Sequence, residues 1–356
     1  MKIAERLDSF AKLGITIKKA LNVQTNPEAL EDATMKQNVL QIRYGINTAV
    51  HQNGWFVPEF VQYALMNIAE SLSPQSLMDF VGNYPLPDNI VRKTQKIGLV
   101  MAGNIPMVGF HDLFCVLITG NIAVCKLSSK DEKLIKILCE CLINIRKDWS
   151  MYIQFEDRMF KQIDKVIATG SNNSARYFDY YFAKYPHIIR KNRNSVAVLS
   201  GNETEKDFEK LADDIFLYFG MGCRNVSKIF IPTGYNITKM FPTFEKYSFL
   251  GNYQKYFNNY LYNRTVGYLN AEDHFDAGFF IAKRDTAYSS AVTVFLFEEY
   301  LHLHHVTERL VNDSDKIQCI VSQLSEIKGA IQFGQTQKTK LTDFADNVDT
   351  IRFLIS

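Results

Sequence analysis

The sequence has no surplus of either charge: 40 Lys and Arg stand against 38 Asp and Glu, for a net charge of +2. Such a chain makes no overall field to gather nucleic acid or an anionic bilayer, so any anion site must be local. Long apolar runs are missing too. No stretch reaches the roughly 18 apolar residues that span a bilayer, and the opening MKIAERLDSFAKLG interleaves charges with its apolar positions, unlike a secretion signal. A cytoplasmic protein with no membrane insertion and no nucleic-acid partner is expected. Metal-binding patterns are also scarce. Cysteines occur at 115, 125, 139, 141, 223 and 319 without a CxxC pair, and His302, His304 and His305 come without an HExxH motif, so no metal is expected. Finally, no GxGxxG dinucleotide fingerprint occurs anywhere in the chain.

What is present is apolar mass with a changing rhythm. Hydrophobic residues make up 47% of 356, enough for two domains, because one core rarely keeps growing to this length. Residues 1–94 read as mainly helical, with Phe60, Tyr63, Ala64 and Ile68 on one face behind a helix-starting Pro58, and the loop GNYPLPDN closes the region. From Lys96 the pattern becomes short apolar strand, turn and helix. Strands are expected at KIGLVMAG, NIAVCKLS, DKVIATG and SVAVLSG, with helices over 108–119, 131–146, 173–184 and 205–219. Repeated units of this kind predict parallel sheets covered on both faces, with ligands beyond the carboxyl ends of the strands. Further strands are expected at VSKIFIP, FDAGFFIAKRD, SAVTVFLFEEY and KIQCIVS, a helix over 303–311, and a turn-rich tail ending in a short apolar strand.

The distinctive polar residues fall at those strand ends. Asn104 in GNIP can donate to an oxyanion or simply turn the chain before Pro106. Lys126, followed by Ser128, can meet a nucleotide or merely emerge from the sheet. Thr169, Gly170 and Ser171 open a helix, where free N–H groups suit phosphate and a serine suits capping. Cys223 in FGMGCRN differs from the other cysteines, which sit mostly in apolar runs, because Gly220 and Gly222 allow close backbone approach to a thiol. Buried structural thiols are expected at the remaining five positions.

Taken together, MAGNIPMVGFHDLFCVLITGNIAVCKLSSKD, ATGSNNS, FGMGCRNVSKIFIP and FGQTQKTKLTDFADNVDT resemble, in this order, the acyl-CoA reductase branch of the aldehyde dehydrogenase superfamily, the LuxC-like branch that includes the fatty-acyl reductase of bacterial luminescence. The resemblance implies an α/β, aldehyde dehydrogenase-like fold: two Rossmann-like domains with parallel sheets and a helical N-terminal region. It implies a cofactor domain over 95–205, a catalytic domain over 206–330, and a segment 331–356 that returns to the cofactor domain or a dimer interface. It further implies that Cys223 attacks an acyl-CoA, that Asn104 and the Cys223 N–H stabilise the oxyanion, and that Lys126, Ser128, Thr169, Gly170 and Ser171 hold NADPH or NADH. Reduction of the Cys223 thioester to an aldehyde follows, in a homodimer that takes acyl-CoA or another acyl donor.

Two departures from the superfamily accompany this resemblance. The water-activating Glu of ordinary aldehyde dehydrogenases falls near Ile189, and the Glu of their Glu-Ile-Phe-Gly-Pro segment falls near Ala287. Loss of the first is expected to spare the thioester from hydrolysis. The alternatives are a cysteine-dependent acyltransferase or thioesterase without redox, and a non-catalytic protein on the same fold.

Overall fold

The computed structural model describes residues 1–86, 94–158 and 160–356, so that residues 87–89 of the GNYPLPDN loop lie outside the described residues. The chain divides into two units, Met1–Lys191 with Thr339–Ser356, and Asn192–Lys338.

The first unit begins with four helices: α1 (Ile3–Leu21), α2 (Ala33–Gln52), α3 (Pro58–Ser71) and α4 (Pro74–Val81). Pro58 sits in the first turn of α3, where its missing N–H costs nothing, and Phe60, Val61, Ala64, Leu65 and Ala69 bury one stripe. Tyr63 and Ile68 flank that stripe and are half-buried. Arg6 of α1 is buried and its Nη1 donates to the Ile118 carbonyl at 2.5 Å. That bond satisfies an orphan carbonyl at a helix end.

The strands and helices that follow are β1 (Lys96–Val100), α5 (Phe110–Ile118), β2 (Ile122–Lys126), α6 (Glu132–Ile145), β3 (Ile153–Phe155), β4 (Lys165–Thr169), α7 (Asn172–Phe182) and β5 (His187–Arg190). They form one parallel sheet in the order β3-β2-β1-β4-β5. The central strands β1, β2 and β4 are buried through their middles, as their apolar sequences dictate. Strands β3 and β5 are not legible in the sequence. Each is an edge strand of three or four residues with too few apolar positions to show a period.

The second unit contains β6 (Asn194–Val198), α8 (Glu205–Phe216), β7 (Val226–Pro232), the one-turn α9 (Phe241–Phe244), α10 (Gln254–Leu269), β8 (His274–Asp276), β9 (Ile281–Arg284), β10 (Val294–Tyr300), α11 (Leu303–Asn312) and β11 (Ile317–Val321). Its sheet runs β11-β6-β7-β10-β9-β8, parallel except for the β8–β9 pair. The segment expected as one strand, FDAGFFIAKRD, is therefore a hairpin. Gly278 supplies the positive φ of 86° that its turn requires, and its N–H donates to Asp276 Oδ1 at 3.0 Å.

Two further expectations need correction. The division falls after Lys191, not Glu205, because β6 pairs with β7 (Ser195 opposite Val226, Val198 opposite Phe230) and with β11. The tail ends in a helix, α12 (Thr350–Ile355), instead of a strand. Asp349 caps it by accepting from the Arg352 N–H at 3.0 Å, and Thr350, Ile351 and Leu354 are buried at helical spacing. In this first unit, buried Arg190 pairs with buried Asp112 and donates to Thr350 Oγ1 at 3.0 Å, while His111 Nε2–H donates to the Leu341 carbonyl at 2.8 Å. Thus β5, α5 and the returning tail share one polar anchor.

Breaking a buried pair strands a charge, at about 3–5 kcal/mol. Asp112→Ala is expected to lower the first unit's urea stability by that order. Tail proteolysis should accelerate in parallel. An unchanged urea midpoint would show that the pair is not an anchor.

Candidate active site

In the first unit the strand order reverses direction between β1 and β4, the position where doubly wound sheets open a crevice at their carboxyl ends. Val100 pairs with both Lys126 and Ala168, so β1, β2 and β4 end level with one another. Asn104, Lys126 with Ser128, and Thr169–Ser171 accordingly lie on three neighbouring loops at one sheet edge. The sequence placed each at a strand end; the strand order makes those ends neighbours in one sheet.

Each loop is built tightly. A Cβ at Gly103 would lie 2.6 Å from Ser128 Oγ, so the Asn104 loop passes against the Ser128 loop only because residue 103 is glycine. Met107 adopts φ 55°, and its N–H donates to Asp131 Oδ2 at 2.5 Å. Asp131 is buried, which pushes its carboxyl well above the usual range, and its Oδ1 has no partner among the described residues. Asn104 itself is exposed. Lys126 is half-buried and its Nζ donates to the Asp157 carbonyl at 2.6 Å. Ser171 caps α7 by accepting from the Ser174 N–H at 3.2 Å, leaving the helix start exposed. A Cβ at Gly170 would come within 2.8 Å of the Phe178 ring, so this glycine serves close helix–strand packing. These residues fit a dinucleotide: exposed amides of the first turn of α7 suit a pyrophosphate, and Lys126 ends β2 at the carboxyl end of the same sheet.

Cys223 lies in the second unit, in the turn between α8 and β7. It is exposed, whereas Cys115, Cys125, Cys139 and Cys141 are buried and Cys319 is half-buried. Burial raises the thiols of Cys125 and Cys141 to about 12 and those of Cys115 and Cys139 well above their ordinary value. Those four stay protonated and shielded, as structural thiols should.

The chain enters this turn through three successive left-handed residues, Tyr218, Phe219 and Gly220, at φ 54°, 58° and 72°. The helix expected to continue to residue 219 therefore stops at Phe216. For two non-glycine residues this conformation costs about 1–2 kcal/mol each. Tyr218 and Phe219 are both buried, which returns about 1.5–3 kcal/mol per side chain. Phe219 also packs against the rings of Tyr253 and Tyr256 at 5.5 and 5.6 Å. Burial and ring packing outweigh the strain, so the turn is held in this shape.

Beyond the strained run, the Gly222 N–H donates to Asn225 Oδ1 at 2.9 Å and the Asn225 N–H donates to the Gly222 carbonyl at 3.0 Å. Ser195 Oγ on β6 donates to the Cys223 carbonyl at 2.9 Å.

A family model for acyl-CoA reductase (LuxC) matches residues 91–241, which include every candidate residue above. No curated protein matches the chain. Among solved structures, aldehyde dehydrogenase 21 from Physcomitrella patens, in complex with the product succinate, aligns at 10% identity with a TM-score of 0.62, over 99% of this chain and 88% of that one. An NAD-dependent benzaldehyde dehydrogenase from Corynebacterium glutamicum aligns at 12% identity and TM-score 0.60, over 94% and 81%. The NAD+ complex of a Bacillus cereus aldehyde dehydrogenase gives 13%, 0.56, and coverage of 92% and 73%. The fold is that of the aldehyde dehydrogenases.

On this aldehyde dehydrogenase fold, Ile189 lies on the edge strand β5 and Ala287 in the loop after β9, its N–H donating to Asp285 Oδ1 at 2.9 Å. Three residues with a clear role in shaping the Cys223 turn escaped the sequence: Ser195, Asp214 and Asn225. Only the asparagine beside GCR offered any local signal. Asp214 of α8 is buried, and its carboxylate accepts from the Gly334 and Thr336 N–H groups at 2.7 and 3.0 Å. Arg224 Nε donates to the Thr336 carbonyl at 2.6 Å. The Gly334–Thr336 segment is thus latched to both α8 and the Cys223 turn, which gives FGQTQ a structural purpose. Among the described residues no group of His, Cys, Asp and Glu is arranged to hold a metal, and no helix is long and apolar enough to cross a membrane.

Burial raises the Asp214 carboxyl to about 6, against the pull of its two N–H donors. The folded protein then holds this proton more tightly than the unfolded chain, so the stability linked to Asp214 is present below about pH 4 and is lost as pH rises through 6. The loss is on the order of 3 kcal/mol at 1.36 kcal/mol per pKa unit. Denaturant titrations of wild type and Asp214→Asn at pH 4.5 and 7 should show the wild-type advantage shrinking towards pH 7. Equal differences at both pH values would contradict the assignment.

Proposed function

We propose that the protein is an acyl-CoA reductase in which Cys223 carries the acyl group. The observation that carries this is one thiol, exposed, in a strained and hydrogen-bonded turn, while the other cysteines are buried or half-buried. The partial match to the acyl-CoA reductase family over residues 91–241 supports it.

In this mechanism the Cys223 thiolate attacks the acyl carbonyl, a carbon–sulfur bond to Cys223 forms, and the bond to coenzyme A breaks with release of its thiolate. Asn104 and the Cys223 N–H stabilise the oxyanion of the tetrahedral intermediate. A thioester suits this role because its carbonyl stays electrophilic enough for a second attack. Lys126, Ser128, Thr169, Gly170 and Ser171 would hold the dinucleotide. A bound nicotinamide, NADPH or NADH, would supply hydride; the thioester carbon takes up that hydride, the carbon–sulfur bond breaks to give an aldehyde, and a proton restores the Cys223 thiol. The hydrolytic Glu of ordinary aldehyde dehydrogenases falls near Ile189, and loss of that base slows hydrolysis of the thioester.

Incubation with NADPH and acyl-CoAs of short, medium and long chain should consume NADPH and yield aldehyde. Cys223→Ala should abolish the reaction, and Asn104→Ala should lower kcat by about 10²-fold, the usual loss on removing one oxyanion donor. NADPH-independent release of coenzyme A at the wild-type rate would favour acyl transfer without redox. No turnover and no acyl adduct with any chain length would overturn the proposal.

A further inference from the structure

We propose that Asn225 is a positioning residue that fixes the direction of both the Cys223 thiol and the Cys223 N–H. The proposal rests on Cys223 being the nucleophile, but its test does not need a substrate.

Asn225 is 2% exposed, and every hydrogen-bonding group of its amide is engaged. Oδ1 accepts from the Gly222 N–H at 2.9 Å, and Nδ2 faces three carbonyls, those of Asp214 at 3.1 Å, Ile215 at 3.3 Å and Leu217 at 2.9 Å. A single amide therefore joins the orphan carbonyl end of α8 to the turn that carries the thiol. An amide suits this, because one end must accept and the other must donate.

The backbone of Asn225 completes the clamp. Its N–H donates to the Gly222 carbonyl at 3.0 Å, and in a planar trans peptide the N–H of the next residue points opposite to that carbonyl. The Cys223 N–H is thereby aimed away from Asn225. On the far side, Ser195 Oγ donates to the Cys223 carbonyl at 2.9 Å, so the peptides before and after Cys223 are both fixed. The strained run at 218–220 lies between two groups held by this one amide, the Leu217 carbonyl and the Gly222 N–H. Asn225 thus ties strain, helix end and nucleophile into one unit.

The test compares Asn225→Ala, Asn225→Ser and Asn225→Asp with wild type. Asn225→Asp keeps the acceptor for Gly222 but sets a carboxylate against three carbonyls. Cys223 alkylation by iodoacetamide is followed against pH by peptide mass spectrometry, with circular dichroism to confirm folding and the buried cysteines as internal controls. The clamp predicts, in folded variants, a lower plateau rate or a displaced thiol pKa at Cys223 with the other cysteines unchanged. It also predicts a fall in kcat of up to about 10²-fold, the order expected for a 1 Å misplacement, at nearly constant KM. Should Asn225→Ala not fold, Asn225→Ser decides. Wild-type alkylation profiles in a folded variant would overturn the inference. Normal alkylation contrasts with no acyl-CoA turnover in any form would instead count against the acyl-CoA reductase proposal and leave Asn225 in place.

Discussion

The shape of the Cys223 turn depends on the left-handed run Tyr218–Phe219–Gly220. It ends α8 at Phe216, well before β7 begins at Val226, and leaves Cys223 exposed in the turn between them. Nothing in the local preferences of Tyr or Phe favours that conformation. It persists because Tyr253 and Tyr256 of the α10 region receive the Phe219 ring and because Asn225 gathers the carbonyls that the broken helix leaves behind. Strain held by packing is a recurrent feature of functional sites.

The aromatic load of the sequence finds its reason here. Phe216 packs against Phe244, Tyr247, Phe279 and Phe280, and Phe219 continues the contact to Tyr253 and Tyr256. The stretch GNYQKYFNNYLYNRTVGY is thus in part a wall that supports the cysteine turn. Tyr256 and Tyr260 of α10 are buried, while Phe257, Leu261, Tyr262 and Tyr268 remain exposed. Weak segregation of apolar from polar residues in its sequence hides this split.

Much of the architecture was legible because central parallel strands are apolar on both faces and the helices between them keep their period. KIGLV, IAVCK and KVIAT could be placed from sequence alone, and with them the ends that carry Asn104, Lys126 and Thr169. Edge strands β3 and β5 were not legible, and the strand order with its reversal between β1 and β4 is not written in the spacing of any one strand. The end of the tail, TIRFLI, reads as a strand in sequence because six residues do not distinguish two periods; the Asp349 cap and the buried Thr350 settle it as helix. Residues that act across the chain, such as Asp214 on Gly334 and Ser195 on Cys223, are invisible to spacing because their partners are 120 and 28 positions away.

The central claim is that Cys223 bears the acyl group between coenzyme A and hydride. The most direct measurement is mass spectrometry of the protein mixed with acyl-CoA in the absence of any nicotinamide, followed by peptide mapping and then addition of NADPH. The account predicts one acyl adduct, on the peptide containing Cys223, that disappears on NADPH addition as an equal amount of aldehyde forms. An adduct on another residue, or an adduct on Cys223 that decays to free acid regardless of NADPH, would contradict it.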